Sequence, residues 1–373
     1  MIAGDFVGDE QVDIAVLADD DSTHLIENDD GDMWDVVDVS FNPGEMQLVD
    51  PYDFAFGDLA CDGGSVFVYA GQGDFLAYVG YAKADGFYVD DVRTVGVPAG
   101  TFSLAVGDLV PDDAGFLDVV LAGNSHVTVL RNDQGFDRST LFSYVPLEPL
   151  YAEPWDVLIV GTGLDTRLLV PAGNDGDTDP STPTQLIYSF FIDADGSSFD
   201  VDNAMPESLP FTFANPWAMA SGDFNGDGDQ DVAVAERSIQ YVNEGTDLGS
   251  TIRFFTYPGN DTDAFTEITA ITTGVGVNSL AAADMNCDGY MDLVIGNTGP
   301  TMPSETGGAP QIIFGAEVLA GLEAVDVPGI TDLGASSRIA IADFDGDLRP
   351  EAAIGDFGAG ALSGNRVVIV DVN

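Results

Sequence analysis

Short apolar segments recur along the whole chain and alternate with polar, glycine-rich stretches, as in DVAVA from Asp231 and HVTVL from His126. The segments lack the three-to-four-residue spacing of an amphipathic helix, and many are rich in Val, Ile and Phe. This pattern predicts short β-strands joined by tight turns, and therefore an all-β protein.

The same order of elements returns at intervals of about 50 to 60 residues. In each copy an apolar segment is followed by an acidic loop, a second and a third apolar segment, a turn such as NDQG, and a fourth segment. The first acidic position marks seven copies: Asp5, Asp58, Asp108, Thr162 (where the acid is lost), Asp223, Asp284 and Asp343. Four short antiparallel strands per copy predict the blades of a β-propeller.

We therefore predict a single seven-bladed β-propeller domain over residues 1–373, with four-stranded antiparallel blades at approximately 1–50, 51–99, 100–150, 151–212, 213–275, 276–334 and 335–373. A β-solenoid would need shorter repeats, and a row of sandwich domains would need about 100 residues each. The last copy ends after its third apolar segment, so we expect its outer strand to be missing from this chain. Residues outside this sequence, or a strand from a neighbouring subunit, would complete it by β-addition.

The acidic loops place oxygen-bearing side chains at alternating positions, where carboxylates must repel one another unless a cation lies between them. Ca²⁺ prefers six to eight hard oxygen ligands, whereas Mg²⁺ tolerates irregular all-protein cages poorly. The expected calcium ligands are Asp223, Asn225, Asp227, the carbonyl of Asp229 and Asp231 in copy 5; Asp284, Asn286, Asp288, the carbonyl of Tyr290 and Asp292 in copy 6; and Asp343, Asp345, Asp347, the carbonyl of Arg349 and Glu351 in copy 7.

The remaining loops are less complete. Copy 1 keeps Asp5, Asp9 and Asp13 but has Val7 at the second ligand position, so weaker binding is expected there. Copy 3 has Asp108, Asp112 and Asp118 with a two-residue insertion, and copies 2 and 4 have lost too many ligands. We expect about three to five calcium sites. The alternative is that these loops are Asp- and Gly-rich turns whose side chains cap their own backbone.

Copies 5 and 6, with the sequences GDFNGDGDQDVAVA and ADMNCDGYMDLVIGN, resemble the FG-GAP/VCBS repeats of integrin α-subunit propellers and of many bacterial surface proteins. Turns such as RNDQG add to the likeness, which extends over essentially the whole chain and is strong in copies 5, 6 and 7, moderate in copies 1 and 3, and weak in copies 2 and 4. The resemblance implies a seven-bladed propeller in which the loop between the first two strands of a blade binds calcium. It also implies a role in adhesion or assembly rather than in catalysis.

Acidic residues outnumber basic ones by 64 to 10, which gives a formal net charge of −54. Nucleic acids and anionic membranes need cationic surfaces, so they are excluded as partners. Filled calcium loops would neutralise only a small part of this charge. The rest is consistent with a high-salt medium, with an acidic partner-facing surface, or with a generally acidic secreted protein.

The chain contains two cysteines, and no apolar stretch is long enough to span a bilayer. An extracellular or cell-surface location is expected. It requires a leader outside this sequence, because the opening MIAGDF already predicts a strand. His24 and His126 are expected to be structural, since no hydrolase motif surrounds them.

These features predict a calcium-stabilised extracellular binding, adhesion or assembly module that is not an enzyme. Its partner would be a protein or glycan at one propeller face. One alternative is a structural subunit of an extracellular polymer or surface layer, completed by strand addition or self-assembly at the last blade. The other is a carbohydrate-binding or hydrolase-associated propeller.

Overall fold

The structure is a computed structural model that describes residues 1–7, 9–17, 23–29, 33–41, 51–59, 65–71, 75–83, 86–97, 99–109, 116–123, 126–132, 140–146, 153–161, 166–173, 186–191, 207–208, 213, 215–236, 250–257, 265–273, 276–297, 308–328, 330, 336–356 and 366–372. The predicted positions Asp112 and Thr162 lie outside these residues. Within the described part of the chain, no helix has the length and apolar character needed to cross a membrane.

The described residues form antiparallel sheets whose strands are consecutive along the chain, which confirms the all-β prediction. Sheet 1 contains β1 (Ile2–Gly4), β2 (Asp13–Leu17), β3 (Thr23–Asp29) and β4 (Met33–Phe41). Sheet 2 contains β5 (Pro51–Gly57), β6 (Ser65–Gly71), β7 (Phe75–Lys83) and β8 (Gly86–Gly96). Sheet 3 contains β9 (Thr101–Gly107), β10 (Asp118–Gly123), β11 (His126–Arg131) and β12 (Thr140–Pro146).

Sheet 4 has five strands instead of the predicted four: β13 (Glu153–Pro154), β14 (Leu158–Val160), β15 (Arg167–Gly173), β16 (Leu186–Phe191) and β17 (Glu207–Ser208). The extra strand arises because the first strand of this copy is interrupted at residues 155–157, so β13 and β14 both pair with β15. Short irregularities of this kind leave the apolar pattern intact and are therefore invisible in it.

Sheet 5 contains β18 (Pro216–Gly222), β19 (Asp231–Glu236), β20 (Thr251–Thr256) and β21 (Thr266–Thr272). Sheet 6 contains β22 (Val277–Ala283), β23 (Asp292–Asn297), β24 (Gln311–Ile313) and β25 (Val325–Asp326). Sheet 7 contains β26 (Ser336–Ala342), β27 (Glu351–Asp356) and β28 (Arg366–Val370), and has three strands among the described residues.

The chain divides into two compact units, one of residues 1–170 and 188–208 and the other of residues 171–187 and 209–373. Sheets 1 to 3 belong to the first unit and sheets 5 to 7 to the second, while the division falls within β15 and β16. The number of blades in a closed ring, and the assignment of the whole chain to one domain, stay predictions.

Within each unit, successive sheets pack face to face through alternating residues of their second strands. In β23, Leu293 and Ile295 pack with Ala233 and Phe254 of sheet 5, whereas Val294 packs in a separate cluster with residues of sheet 7. Because successive side chains of a strand point to opposite faces, one strand serves two cores. This explains why β10 and β23 are buried along their whole length and have nearly continuous apolar sequences.

Sheets 1 and 2 follow the same rule with aromatic residues. Phe67 and Tyr69 of β6 pack with Phe6 of sheet 1, whereas Val68 and Ala70 pack with the residues of sheet 3. The Phe6 and Phe56 rings meet edge to face with their centroids 4.5 Å apart. Repeated packing of this kind holds the first and second strands of each sheet, and with them the ends of the acidic loop, in fixed positions.

Replacing Phe254 by alanine tests this stacked core. Phe254 is buried and meets the Phe224 ring edge to face at 5.2 Å between centroids, so Phe254→Ala should lower the free energy of unfolding by about 3–5 kcal/mol. The control Val325→Ala removes an exposed side chain and should change it by less than about 0.5 kcal/mol. Chemical denaturation measures both, and a similar small change in the two variants would contradict the described core.

Candidate metal centre

Each acidic loop joins the first and second strands of its sheet, and the residue before its first acid pairs with its last acid. We call the segments Asp5–Asp13, Asp223–Asp231, Asp284–Asp292 and Asp343–Glu351 loops 1, 5, 6 and 7. In loop 5, the register pairs Gly222, the residue before the first acid, with Asp231, the last acid. The other three loops close in the same way. The hairpin therefore brings the first and last predicted ligands of each loop together, although eight positions separate them.

All four loops also share an unusual backbone conformation. The residue five positions after the first acid has a left-handed φ in every loop: 71° at Glu10, 89° at Gly228, 93° at Gly289 and 71° at Leu348. Leu348 stands where copies 5 and 6 have glycine, so it adopts a conformation that costs roughly 1–2 kcal/mol for an L-residue. Despite this cost, loop 7 has a left-handed backbone at the same position as the glycine-containing loops.

The early acids of each loop turn inward and accept hydrogen bonds from the loop backbone. In loop 5, Asp223 accepts from the amides of Gly226, Asp227 and Gly228 at 2.7–3.1 Å. In loop 6, Asp284 accepts from Asp288 at 3.0 Å and from Gly289 at 2.9 Å. These bonds are the backbone capping that was the alternative to metal binding, and they occupy part of each carboxylate. They also fix the carboxylates in one place; among the described residues, the group whose carboxylate oxygens lie close enough together to hold a metal ion is that of loop 7.

Loop 7 brings four carboxylates together most closely. One oxygen from each of Asp343, Asp345, Asp347 and Glu351 lies within 4.8 Å of the others, a spacing that could hold a metal ion. In addition, Oδ1 of Asp343 is buried and has no hydrogen-bond partner among the described residues. A bound cation would compensate the charge of this cluster and satisfy the buried oxygen.

The last acid of each loop has a structural role that the sequence did not indicate. Asp292 is fully buried, and its carboxylate accepts hydrogen bonds from the amides of Met285 (2.9 Å), Asn286 (3.3 Å) and Gly315 (2.8 Å). It therefore ties the start of loop 6 to the segment after β24. Burial raises the pKa of Asp292 to about 6, although these amide hydrogen bonds lower it.

Equivalent bonds are found in sheets with incomplete loops. Asp13 accepts from the amides of Phe6 at 2.9 Å and Asn28 at 3.0 Å, and Asp118 accepts from those of Leu109 at 3.2 Å and Asn132 at 2.8 Å. In loop 7, Glu351 accepts from Phe344 at 2.7 Å. The last acid thus stabilises the sheet even in copy 3, where the sequence predicts a distorted metal loop.

Asp231 is the exception among these residues, and it carries the strongest indication of a cation. It is fully buried, yet neither carboxylate oxygen has a hydrogen-bond partner among the described residues. Burial and the charges of Asp227 and Asp223 raise the pKa of Asp231 to about 7; the Phe224 and Asn225 amides lower it but do not reach hydrogen-bonding geometry. A buried carboxylate without partners is strongly destabilising, so a bound cation is the simplest way to satisfy it.

Two sheets lack the last acid altogether. In sheet 2 the position opposite Gly57 is Val66, and in sheet 4 the position opposite Val160 is Arg167, which is buried. This pairing explains why copies 2 and 4 lack a complete ligand set: copy 2 has an apolar group in place of the carboxylate, and copy 4 has a cation.

A second feature escaped the sequence pattern. At the start of the first strand, one residue bulges out of the ladder in several sheets: Tyr52 in β5, Phe102 in β9, Trp217 in β18 and Asn278 in β22. In sheet 4, Trp155 occupies the gap between β13 and β14. Bulges re-aim side chains, and here the rings of Tyr52, Phe102 and Trp155 form a continuous row with centroid distances of 5.4 and 4.9 Å. We call these three residues the aromatic row.

Comparison with known proteins agrees with the loop and fold descriptions. Residues 223–295 match the model of the FG-GAP-like repeat. The match begins at the first acid of loop 5 and ends within β23, so it contains loops 5 and 6. The resemblance seen in copies 5 and 6 is thus confirmed. No curated protein matches the chain.

Solved structures show the likeness of the fold. The BP39L lectin from Burkholderia pseudomallei is 13% identical with a TM-score of 0.59, and 98% of each chain is covered. BBS1N in complex with ARL6DN, from a crystal soaked with mercury, is 11% identical with a TM-score of 0.55, covering 95% of this chain and 86% of that one. The lead-soaked crystal of the same complex gives 10% identity and a TM-score of 0.56, covering 100% of this chain and 90% of that one. These neighbours are propeller-like, and at such low identity the likeness concerns the fold alone.

The contrast between Asp231 and Asp292 gives a test in calcium-free buffer at pH 7.5. Asp292→Asn should lower the free energy of unfolding by about 1.5–3 kcal/mol, because the amide cannot accept all three backbone hydrogen bonds. Asp231→Asn should instead raise it, because a buried amide without partners costs less than a buried carboxylate. Chemical denaturation with a chelator present measures both. Equal losses in the two variants would show that the chain itself satisfies Asp231.

The Asp231 variant should also change how the stability of the calcium-free protein depends on pH. The folded-state pKa of Asp231, about 7, exceeds its ordinary value of 3.8, so the folded chain binds more protons than the unfolded chain between these values. The stability of the calcium-free protein should therefore fall as the pH rises from about 4 to 7. Asp231→Asn should flatten this slope, and an unchanged slope would place the titrating group elsewhere.

Proposed function

We propose that the chain is a calcium-stabilised, non-catalytic binding module that works outside the cell. The observation that carries the proposal is the buried carboxylate of Asp231, which has no hydrogen-bond partner among the described residues and lies at the end of a loop with three further aspartates. The FG-GAP-like repeat over residues 223–295 supports it, since that match contains loops 5 and 6.

The proposed ligands are those that the sequence predicts in loops 5, 6 and 7, with weaker binding in loop 1. Their donors are carboxylate, amide and backbone carbonyl oxygens, the hard ligands that Ca²⁺ prefers. The shared left-handed backbone at Gly228, Gly289 and Leu348 supports a common coordination geometry in the three loops. When bound, calcium would supply positive charge to the convergent carboxylates, and the chain's own residues hold them in place.

The effect on stability would be large if several loops bind. Extracellular modules bind calcium with a Kd of roughly 10⁻⁴–10⁻³ M. With free calcium at about ten to a hundred times Kd, each site stabilises the folded chain by roughly 1.4–2.7 kcal/mol. Three sites would then contribute an amount comparable with the total stability of many domains, about 5–15 kcal/mol.

We further propose that the aromatic row contacts the ligand. Tyr52 is 42% exposed, while Phe102 and Trp155 are half-buried. Aromatic side chains of this kind supply much of the binding energy in interfaces and can stack on the apolar faces of sugar rings. The Asp53 carboxylate accepts hydrogen bonds from the Ser103 hydroxyl (3.2 Å) and the Leu104 amide (3.0 Å), directly after Phe102, and so holds the backbone that carries the row.

An assembly role is the second candidate, and sheet 7 favours it. Among the described residues, β28 pairs with β27 on one edge and no strand is seen on the other. A strand added there, from a second copy or from a further segment, would complete a four-stranded sheet like those of sheets 5 and 6.

Calcium titration tests the stabilising role directly. Adding Ca²⁺ in the millimolar range to chelator-treated protein should raise the midpoint of thermal unfolding, because the ion binds the folded chain in preference to the unfolded chain. Mg²⁺ at the same concentration is the control and should have a much smaller effect. An unchanged midpoint with Ca²⁺ would overturn the proposal.

A glycan array screened with the calcium-loaded chain tests the aromatic row. For the neutral glycans that the original chain binds on the array, Trp155→Ala should weaken binding by at least about tenfold, because a central aromatic contact is lost. Tyr52→Phe keeps the ring and should leave binding nearly unchanged. If Trp155→Ala binds the same glycans as strongly, the contact surface lies elsewhere.

A further inference from the structure

Loops 5 and 6 are joined directly through their main chains. The carbonyl oxygen of Asp223 accepts a hydrogen bond from the amide of Met291 at 3.0 Å, and the carbonyl oxygen of Phe224 accepts one from the amide of Ala316 at 3.1 Å. The first of these bonds runs from the beginning of loop 5 to the end of loop 6. Neither is part of a strand ladder: the first joins loop 5 to loop 6, and the second joins loop 5 to the segment after β24 of the same sheet as loop 6.

Side-chain packing tightens the same junction. A Cβ atom added at Gly226 would overlap the Tyr290 ring, and one added at Gly222 would lie 2.9 Å from the Cβ atom of Met291. A Cβ atom at Gly315 would overlap the Met291 carbonyl oxygen and lie 2.9 Å from that of Phe224. Three glycines therefore allow a close approach that any side chain would prevent, and they bring the two loops into direct contact.

The joined residues are the proposed metal ligands or their direct neighbours. Asp223 is the first proposed ligand of loop 5. Met291 lies between Tyr290, whose carbonyl is a proposed ligand of loop 6, and Asp292, the last acid of that loop. The segment 290–292 is thus needed for one metal site and held in place by the other.

We propose that loops 5 and 6 bind calcium with positive cooperativity, so that filling one loop raises the affinity of the other. This inference rests on the proposed calcium binding. Its physical basis is the cost of ordering: an ion in loop 5 fixes the Asp223 carbonyl, which holds the Met291 amide and with it the C-terminal end of loop 6. The second ion then binds a segment that is already ordered and loses less conformational entropy.

Electrostatics opposes this effect and provides a way to separate the two contributions. Loop 5 contains four aspartates, and an ion bound there reduces the negative potential that attracts a second ion to loop 6. Salt screens this loss, because the screening length falls from about 8 Å at 0.15 M to about 3 Å at 1 M. The hydrogen bond and the packing contacts are not screened, so the cooperativity should increase with salt concentration.

The same coupling does not extend from loop 6 to loop 7. In loop 7 the position equivalent to Met291 is Pro350, one residue before Glu351. Proline has no amide hydrogen, so loop 7 cannot donate the equivalent bond to the carbonyl of Asp284. Loops 6 and 7 therefore form a natural control within the same chain.

Calorimetric titration of the full chain tests the coupling. In a background with loops 1 and 7 disabled (Asp9→Ala, Asp347→Ala), calcium binding to loop 6 is measured with loop 5 intact and with loop 5 disabled by Asp227→Ala. The affinity of loop 6 should fall by about fivefold when loop 5 is disabled, within the usual range of coupling between sites. Disabling loop 6 by Asp288→Ala should weaken loop 5 by the same factor, because coupling is reciprocal.

Two controls accompany this measurement. With loops 1 and 5 disabled, removing loop 7 by Asp347→Ala should change the affinity of loop 6 by less than about twofold, since Pro350 lacks the donor. Gly226→Ala and Gly228→Ala both impose a left-handed backbone on alanine, with φ of 72° and 89° in the native chain. Only Gly226 faces Tyr290, so Gly226→Ala should lower the coupling factor, whereas Gly228→Ala should weaken loop 5 and leave the factor unchanged.

The outcomes distinguish this inference from the proposal beneath it. If neither loop binds calcium, the proposed function and the coupling both fail. If both loops bind but each has the same affinity with and without its neighbour, the coupling alone is overturned. The coupling would also be overturned if, at 1 M salt, filling one loop weakened calcium binding to the other. A fivefold factor that grows with salt and is lost in Gly226→Ala would support it.

Discussion

The burial of a carboxylate at the start of the second strand is the constraint on which the rest of the structure depends. An aspartate or glutamate occupies this position in sheets 1, 3, 5, 6 and 7, where water cannot reach it. Burying such a charge is costly unless donors or a cation surround it. In sheets 1, 3, 6 and 7 the backbone supplies donors, and these bonds fix the acidic loop onto its sheet. In sheet 5 the described residues supply none, and the Asp231 carboxylate has no hydrogen-bond partner among them.

Much of this could be predicted from the sequence because the informative signals are local. The alternation of residues along a strand determines which side chains pack with each neighbouring sheet, so DVAVA and DLVIGN already predict strands buried on both faces. The acidic loops are equally local, since all their side chains come from nine consecutive residues. The prediction of short antiparallel strands flanking an acidic hairpin therefore matches the described sheets closely.

The features that escaped prediction depend on residues far apart in the chain or on single backbone angles. Nothing local shows that the Gly315 amide, 23 positions from Asp292, would bind that carboxylate. Loop 7 has Leu348 where copies 5 and 6 have glycine, and the sequence does not show that Leu348 takes the left-handed conformation or that four acids lie together there. The aromatic row was missed for a similar reason: Tyr52, Phe102 and Trp155 come from three separate copies and meet only because each lies at a bulge or a strand break.

Sheet 4 has a cationic residue, Arg167, at the position where five other sheets have the buried carboxylate. It occupies the register position that Asp231 has in sheet 5, and it is buried there. Sheet 4 thus carries a permanent positive charge, part of the chain itself, at a position where sheets 1, 3, 5, 6 and 7 have a buried carboxylate. On the proposed calcium binding, a fall in free calcium would leave buried carboxylates uncompensated in the repeats with acidic loops, whereas sheet 4 has no carboxylate at this position.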